Sequence, residues 1–112
     1  MKKIGFLLIP IITTSIYADI ESGKKVYAAN CAQCHSTKMT GGLGKDFNLV
    51  SYSRKKEEIA NYTRDPYSMY EKFGYSANAM PTLLLEEQDI KDVADFIDSL
   101  QPFKEWMKKK KV

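Results

Sequence analysis

The residues whose types and spacing point most directly to chemistry are Cys31-Ala32-Gln33-Cys34-His35. Two thiols three positions apart, followed at once by an imidazole, form the C-x-x-C-H pattern of covalent haem attachment. The thiols can add to the two vinyl groups of a porphyrin, and His35 is then held beneath the iron with a ring nitrogen to offer. Two other readings use the same cysteines. A thioredoxin-like redox pair would sit in a βαβ context, and no alternating strand pattern is visible. A zinc site needs about four ligands, whereas Cys31, Cys34 and His35 are the only soft ligands of that kind in the chain. The pattern therefore favours haem c, one group per chain, with its iron.

Iron in haem has two axial positions, and with a single histidine in the sequence the second cannot be another imidazole. Methionine is the next natural ligand. Met39 lies four residues from His35, too near to round the porphyrin, and Met107 sits in a charged tail. Met69 falls at helical spacing among aromatics, which reads as core. Met80 lies 45 residues after His35 in a stretch of small residues stiffened by Pro81. Met80 is the expected sixth ligand; Met69 or an open sixth position are the alternatives.

The chain of 112 residues is long enough for one small domain. It opens on Lys2 and Lys3, an apolar run over 4–12, and a polar stretch ending Tyr17-Ala18, the layout of an export signal. The run is short of the roughly 20 apolar residues of a membrane span. Residues 1–18 are read as a cleaved signal peptide, with an uncleaved anchor as the alternative. Residues 19–103 are read as the domain and 104–112 as a basic C-terminal tail. Export fits the motif, because c-type haem is attached outside the cytoplasm; the expected location is the periplasm. Net charge is +3, unevenly placed: the domain has an excess of three acids, and the tail carries five lysines against Glu105. The basic residues are not interleaved with any nucleic-acid motif.

The positioning elements read as helices. Residues 19–30 carry Asp19 and Glu21 in a first turn and lead into the motif. Gly23 is costly in a helix unless another helix crosses there. Residues 36–50, with Gly41, Gly42 and Gly44, read as a loop that could offer carbonyls to the imidazole's second nitrogen. Ser53 is the expected N-cap of a helix to about Arg64. Asp65-Pro66 starts a short helix containing Tyr67, Met69, Tyr70 and Phe73 and ended by Gly74. Tyr52, Tyr62, Tyr67, Tyr70 and Tyr75 read as half-buried packing residues. Residues 75–85 form a second loop. Over 86–100, Ile90, Val93, Ala94, Ile97 and Leu100 share one face, extended by Phe96, with Lys91, Asp92, Asp95 and Asp98 on the wet face and Gln101-Pro102 as terminator.

These residues resemble a known family. Gly23-x-x-x-Tyr27 before the motif, the Gly44-Lys45-Asp46-Phe47 loop, Ala79-Met80-Pro81 and Val93-x-x-Phe96 are similar to class I cytochrome c, and specifically to its bacterial periplasmic, His/Met-ligated, mono-haem electron carriers. The resemblance spans nearly all of 19–100. It implies an all-α fold of three main helices and a short one around covalent haem. It also implies that the first and last helices cross at Gly23 and Tyr27 against Val93 and Phe96. Two departures stand out: Lys45 occupies the place of a proline, and Glu86 that of a Ser/Thr cap.

The expected function is one-electron transfer, with no catalytic residues and no enzyme activity. Cys31 and Cys34 would bind haem, and His35 and Met80 its iron. The expected chain is a monomer meeting transient redox partners: a membrane cytochrome complex, a terminal oxidase or a peroxidase. The alternative is a ligand-binding sensor haem domain or a cytochrome subunit of an oxidoreductase complex. Lys108, Lys109, Lys110 and Lys111 read first as a solvated tail. The sharper reading is a steering element toward an acidic partner or a membrane surface.

Overall fold

A computed structural model describes residues 12–104, 106 and 107, with side chains from Ala18 onward. Most of the expected signal peptide, and the run of four lysines, lie outside the described residues. Five helices appear among the described residues: α1 (Ile12–Asn30), α2 (Phe47–Ser53), α3 (Lys56–Arg64), α4 (Pro66–Met69) and α5 (Glu87–Asp98). No strand occurs among the described residues, as expected of an all-α chain. There is one short helix more than the sequence led us to expect.

α1 and α5 cross, and Gly23 marks the crossing point. A Cβ built on Gly23 would lie 1.9 Å from the Asp92 carbonyl oxygen and 2.8 Å from Phe96 Cβ. The two helices meet so closely that only a residue without a side chain fits. Next to that contact, the Tyr27 ring packs 5.4 Å from Phe96 and 5.7 Å from Phe47, centroid to centroid. Val93 is completely buried, and Ala94, Phe96 and Ile97 join Cys31, Phe47 and Ile59 in one core. Burying side chains of the size of Ile97 and Phe96 stabilises by roughly 1.5–3 kcal/mol each. α3 lies along α5, tied by Lys56 to Asp95 at 3.0 Å and by the Arg64–Glu87 pair.

Several expectations need correction. α1 begins at Ile12, so Asp19 lies inside it and not in a first turn. Residues 36–50 do not stay a loop to the end: α2 starts at Phe47, because the Asp46 side chain caps it by accepting from the Asn48 N–H at 2.8 Å. Ser53 consequently ends α2 instead of starting α3, its hydroxyl donating back to the Leu49 carbonyl. α3 starts after Lys55, whose N–H donates to Glu58. Asp92, placed on the wet face, is only 7 % exposed because it sits at the helix crossing, where it accepts from Gln88.

A further correction concerns Lys104, grouped above with the tail. It is buried, and its ammonium donates to the Ser51 carbonyl at 2.7 Å, the Arg54 carbonyl at 2.9 Å and Asp98 Oδ1 at 2.6 Å. Its three donors are thereby all matched. They bind the C-terminal end of α2 and that of α5 together. α4 is shorter than expected, ending at Met69, with turns continuing to Gly74 at φ +85°.

Candidate haem site

α1 ends by tightening its last turn into the motif. Cys31 and Ala32 both donate to the Tyr27 carbonyl, and Cys34 and His35 donate to the Cys31 carbonyl at 3.1 and 3.0 Å. Cys31, Cys34 and His35 thus share one compact turn. The Tyr27 hydroxyl donates to the His35 carbonyl at 2.8 Å, which couples this turn to the α1–α5 crossing.

The imidazole of His35 is held on several sides. Its Nδ1 lies 2.7 Å from the Lys45 carbonyl; facing a carbonyl, that nitrogen must carry the proton and donate. Nε2 is then the unprotonated nitrogen with a lone pair to offer, the tautomer a metal requires. Phe47 stacks on the ring at 4.3 Å and 16°. Gly44 lies against the ring so closely that a Cβ there would be 2.3–2.8 Å from three of its atoms. Its N–H donates to the Cys34 carbonyl at 2.7 Å. Lys45, although not a proline, still supplies the carbonyl.

Asp46 and Asn48 shape the loop that delivers this carbonyl, and sequence reasoning missed both. Asp46 accepts from the Met39 N–H at 2.7 Å, while the Asn48 amide donates to the Thr37 carbonyl at 2.7 Å. The chain between them is folded back tightly enough to place Met39 at φ +58°. Burial pushes the Asp46 carboxyl up, but hydrogen bonds from Asn48, Met39 and Ser36 outweigh it and hold the group below the ordinary carboxylate value. The usable signal was an acidic residue directly before Phe47-Asn48, an N-cap pattern.

The donor set distinguishes between the chemistries open to the cysteines. Burial, with a smaller contribution from Cys34, pushes the Cys31 thiol up to about 11. A redox-active or hydrolytic cysteine needs the opposite, an exposed thiol of lowered pKa. Among the described residues, the one group of three acidic, Cys or His side chains close enough to share a metal is Asp19, Asp92 and Asp95, which includes neither cysteine.

Met80 stands on a different segment, half-buried in the irregular stretch between Gly74 and α5. Two residues before it, Asn78 Oδ1 is buried without a hydrogen-bond partner, alone among the described side-chain polar atoms. A buried amide left so is costly and suits a wall that faces a group not supplied by the polypeptide. Met69 closes α4, and Met39 is exposed. Of the tyrosines, Tyr62 and Tyr75 cluster with Phe73 under the Arg54 guanidinium, which lies 4.1 Å from the Phe73 ring centre and donates to the Phe73 carbonyl. Tyr67 is exposed, contrary to its expected packing role.

The residues fit haem c: two thiols on one turn, an imidazole with one nitrogen pinned and the other available, and an unmatched buried amide beside Met80. Fold and site together define a small all-α protein of the covalent-haem class. Residues 20–101 match the family model described as Cytochrome c. A cytochrome c6 of Diacronema lutheri is 32 % identical over 81 residues, covering 70 % of this chain and 93 % of that protein. Cytochromes c6 of Thermosynechococcus vestitus and Porphyra purpurea are each 30 % identical, over 93 and 105 residues, covering 81 % and 91 % of this chain and 79 % and 89 % of theirs. No solved structure gives a significant match. The chain belongs to the cytochrome c family. It carries one covalent haem c with its iron and transfers electrons with redox partners instead of catalysing a reaction. No helix among the described residues is long and apolar enough to cross a membrane.

Proposed function

We propose that this chain is an exported periplasmic carrier that moves single electrons between respiratory redox partners. Haem would be held through thioethers at Cys31 and Cys34, with its iron between His35 and Met80. The observation that carries this reading is the hydrogen bond of His35 Nδ1 to the Lys45 carbonyl, which fixes the tautomer and leaves the Nε2 lone pair to offer. When bound, haem would supply a reversible one-electron couple at its iron.

The chain's own part is to keep the surroundings of that couple unchanged by oxidation or reduction. Phe47 and Gly44 both lie against the imidazole, and Tyr27 holds the backbone of the same residue. A ring so confined cannot swing when charge changes, which keeps reorganisation small. The Met80 thioether, a soft ligand, favours the reduced form and raises the potential. With His35 and Met80 holding its iron, haem would have no position left for a small molecule.

The experiment is a pair of optical spectra with and without carbon monoxide. Wild type should show the near-infrared iron–sulfur band when oxidised and bind carbon monoxide poorly when reduced. Met80→Ala should lose the band, bind carbon monoxide readily and have a lower potential. A wild type that binds carbon monoxide rapidly, or a Met80→Ala variant that keeps the band, would overturn the ligand set. Haem that is extracted by acid-acetone would overturn the covalent links.

A further inference from the structure

The carbonyl that His35 uses belongs to Lys45, in a stretch with glycines at 41, 42 and 44 and no proline ring to stiffen it. Backbone bonds flank it on either side: Gly44 N–H donates to the Cys34 carbonyl at 2.7 Å and Phe47 N–H to the Ser36 carbonyl at 2.9 Å. The rest of the loop is closed by a side chain. Asp46, the residue after Lys45, is 8 % exposed and uses both carboxylate oxygens. Oδ2 accepts from the Met39 N–H at 2.7 Å; Oδ1 accepts from the Asn48 N–H at 2.8 Å and from the Asn48 side-chain amide at 3.0 Å. That amide also donates to the Thr37 carbonyl at 2.7 Å, and Gln101, beyond α5, donates to its oxygen at 3.1 Å. Met39 is held at φ +58°, a conformation that non-glycine residues keep only where their surroundings impose it. The carboxylate therefore does more than cap α2: it draws residues 37–39 onto the segment that carries the Lys45 carbonyl.

We propose that Asp46, locked in place by Asn48, is a positioning residue for electron transfer: it sets the strength of the His35–Lys45 hydrogen bond and, through it, the reduction potential of bound haem. The inference rests on the reading of His35 as an iron ligand and goes beyond it. A hydrogen bond accepted from Nδ1–H raises the basicity of the imidazole at its other nitrogen. A more basic ligand favours the oxidised iron and lowers the potential. Loosening the clasp weakens the bond to the Lys45 carbonyl, makes the imidazole a poorer donor and raises the potential. The carboxylate also carries a charge, whose removal raises the potential by its field alone. The two causes separate at Asn48, which is neutral and whose side chain bonds Asp46, Thr37 and Gln101. Removing that amide leaves the charge in place and slackens only the clasp.

The test compares the haem-loaded full chain with Asp46→Asn and Asn48→Ala at neutral pH. It reads the potential, the iron–sulfur band, and the solvent-exchange rate of the His35 Nδ1 proton in the reduced protein by nuclear magnetic resonance. Asp46→Asn should raise the reduced-to-oxidised ratio at a fixed poise by about three- to tenfold, tenfold being about 59 mV for one electron. Asn48→Ala should raise the ratio by about twofold or more, and in both variants the His35 proton should exchange about fivefold faster. If Asp46→Asn does not fold, Asn48→Ala carries the test by itself. A potential raised in Asp46→Asn alone, with the ring proton exchanging as in wild type, would overturn the proposal and leave only the field of the charge. Unchanged potentials in both variants would overturn it as well, and so would loss of the iron–sulfur band, which would assign the shift to Met80. Failure of the ligand reading is seen separately, in wild type: a His35 not bound to iron would lack the upfield-shifted ring protons of an imidazole held over a porphyrin.

Discussion

Replacing Gly23 by alanine adds one methyl group at a place where the helix would otherwise welcome it. On propensity alone the change should stabilise α1 by about 1 kcal/mol. The methyl carbon would lie 1.9 Å from the Asp92 carbonyl oxygen, 2.6 Å from its carbon and 2.8 Å from Phe96 Cβ. Ordinary contacts at such atoms begin near about 3.4 Å, so α1 must move away from α5 by roughly 1.5 Å at the crossing. No side-chain rotation relieves the clash, because two of the three obstructing atoms are backbone. A gap of that size forfeits much of the dispersion between Tyr27, Val93 and Phe96, and overpacking of this type costs about 1–3 kcal/mol or more. Taking the upper end and subtracting the propensity gain leaves Gly23→Ala less stable by about 2 kcal/mol. For a domain of this size that is a fall in melting temperature of roughly 10 °C. Gly23→Val, with two more methyl groups, should lose about twice as much. The assay is thermal unfolding of the haem-loaded protein by far-ultraviolet circular dichroism. An alanine variant that melts at or above wild type would refute the crossing, since propensity would then be acting unopposed.

Three further outcomes follow from single residues. Lys104→Met should destabilise by about 2–3 kcal/mol, because it leaves the Ser51 and Arg54 carbonyls and the Asp98 carboxylate without their donor; adding Asp98→Asn should recover part of the loss, and denaturant midpoints decide. Asp46 has a carboxyl pKa lower in the folded than in the unfolded state, so its contribution is complete above the ordinary carboxylate range and is lost as pH falls through the lower folded value. Wild type should therefore lose stability more steeply than Asp46→Asn below about pH 4, and parallel acid-unfolding curves would contradict this. Lys45→Pro keeps the carbonyl that His35 uses and should stabilise by about 0.5–1 kcal/mol through the unfolded chain; a loss of stability would mean that the loop needs a backbone proline cannot adopt.

The parts of this fold legible in the sequence were those specified locally or by an unusual residue. The motif turn follows from five consecutive residues, and Gly23, costly in a helix, fits the close approach that the family resemblance implied. The buried face of α5 was readable from Ile90, Val93, Ala94 and Ile97 at helical spacing. What escaped was decided by partners far along the chain. α2 is only seven residues long, and its C-terminal end is satisfied by Lys104, some fifty residues away. Asp92 was assigned to solvent by residue type, while its burial follows from the missing side chain of Gly23 on another helix. Lys104 was assigned to the tail for its charge, although three acceptors from two helices converge on it. Of the candidate site, Cys31, Cys34 and His35 were found together on one turn. Asp46 and Asn48, which shape the loop holding His35, were passed over because the N-cap pattern they form opens a helix of only seven residues.

The crossing of α1 with α5 also imposes an order in time. Synthesis runs from the N terminus, so Cys31 and Cys34 exist well before residues 87–98 do. The core that buries Cys31 contains Val93, Ala94, Phe96 and Ile97, and until those residues arrive both thiols stay open to reagents. Docking of α5 closes that interval and shuts Cys31 away as a thiol held near pKa 11, poorly disposed to react. A Cys31 left as a thiol when α5 docks is buried and hard to deprotonate, so α5 is the element that closes over that side of the motif.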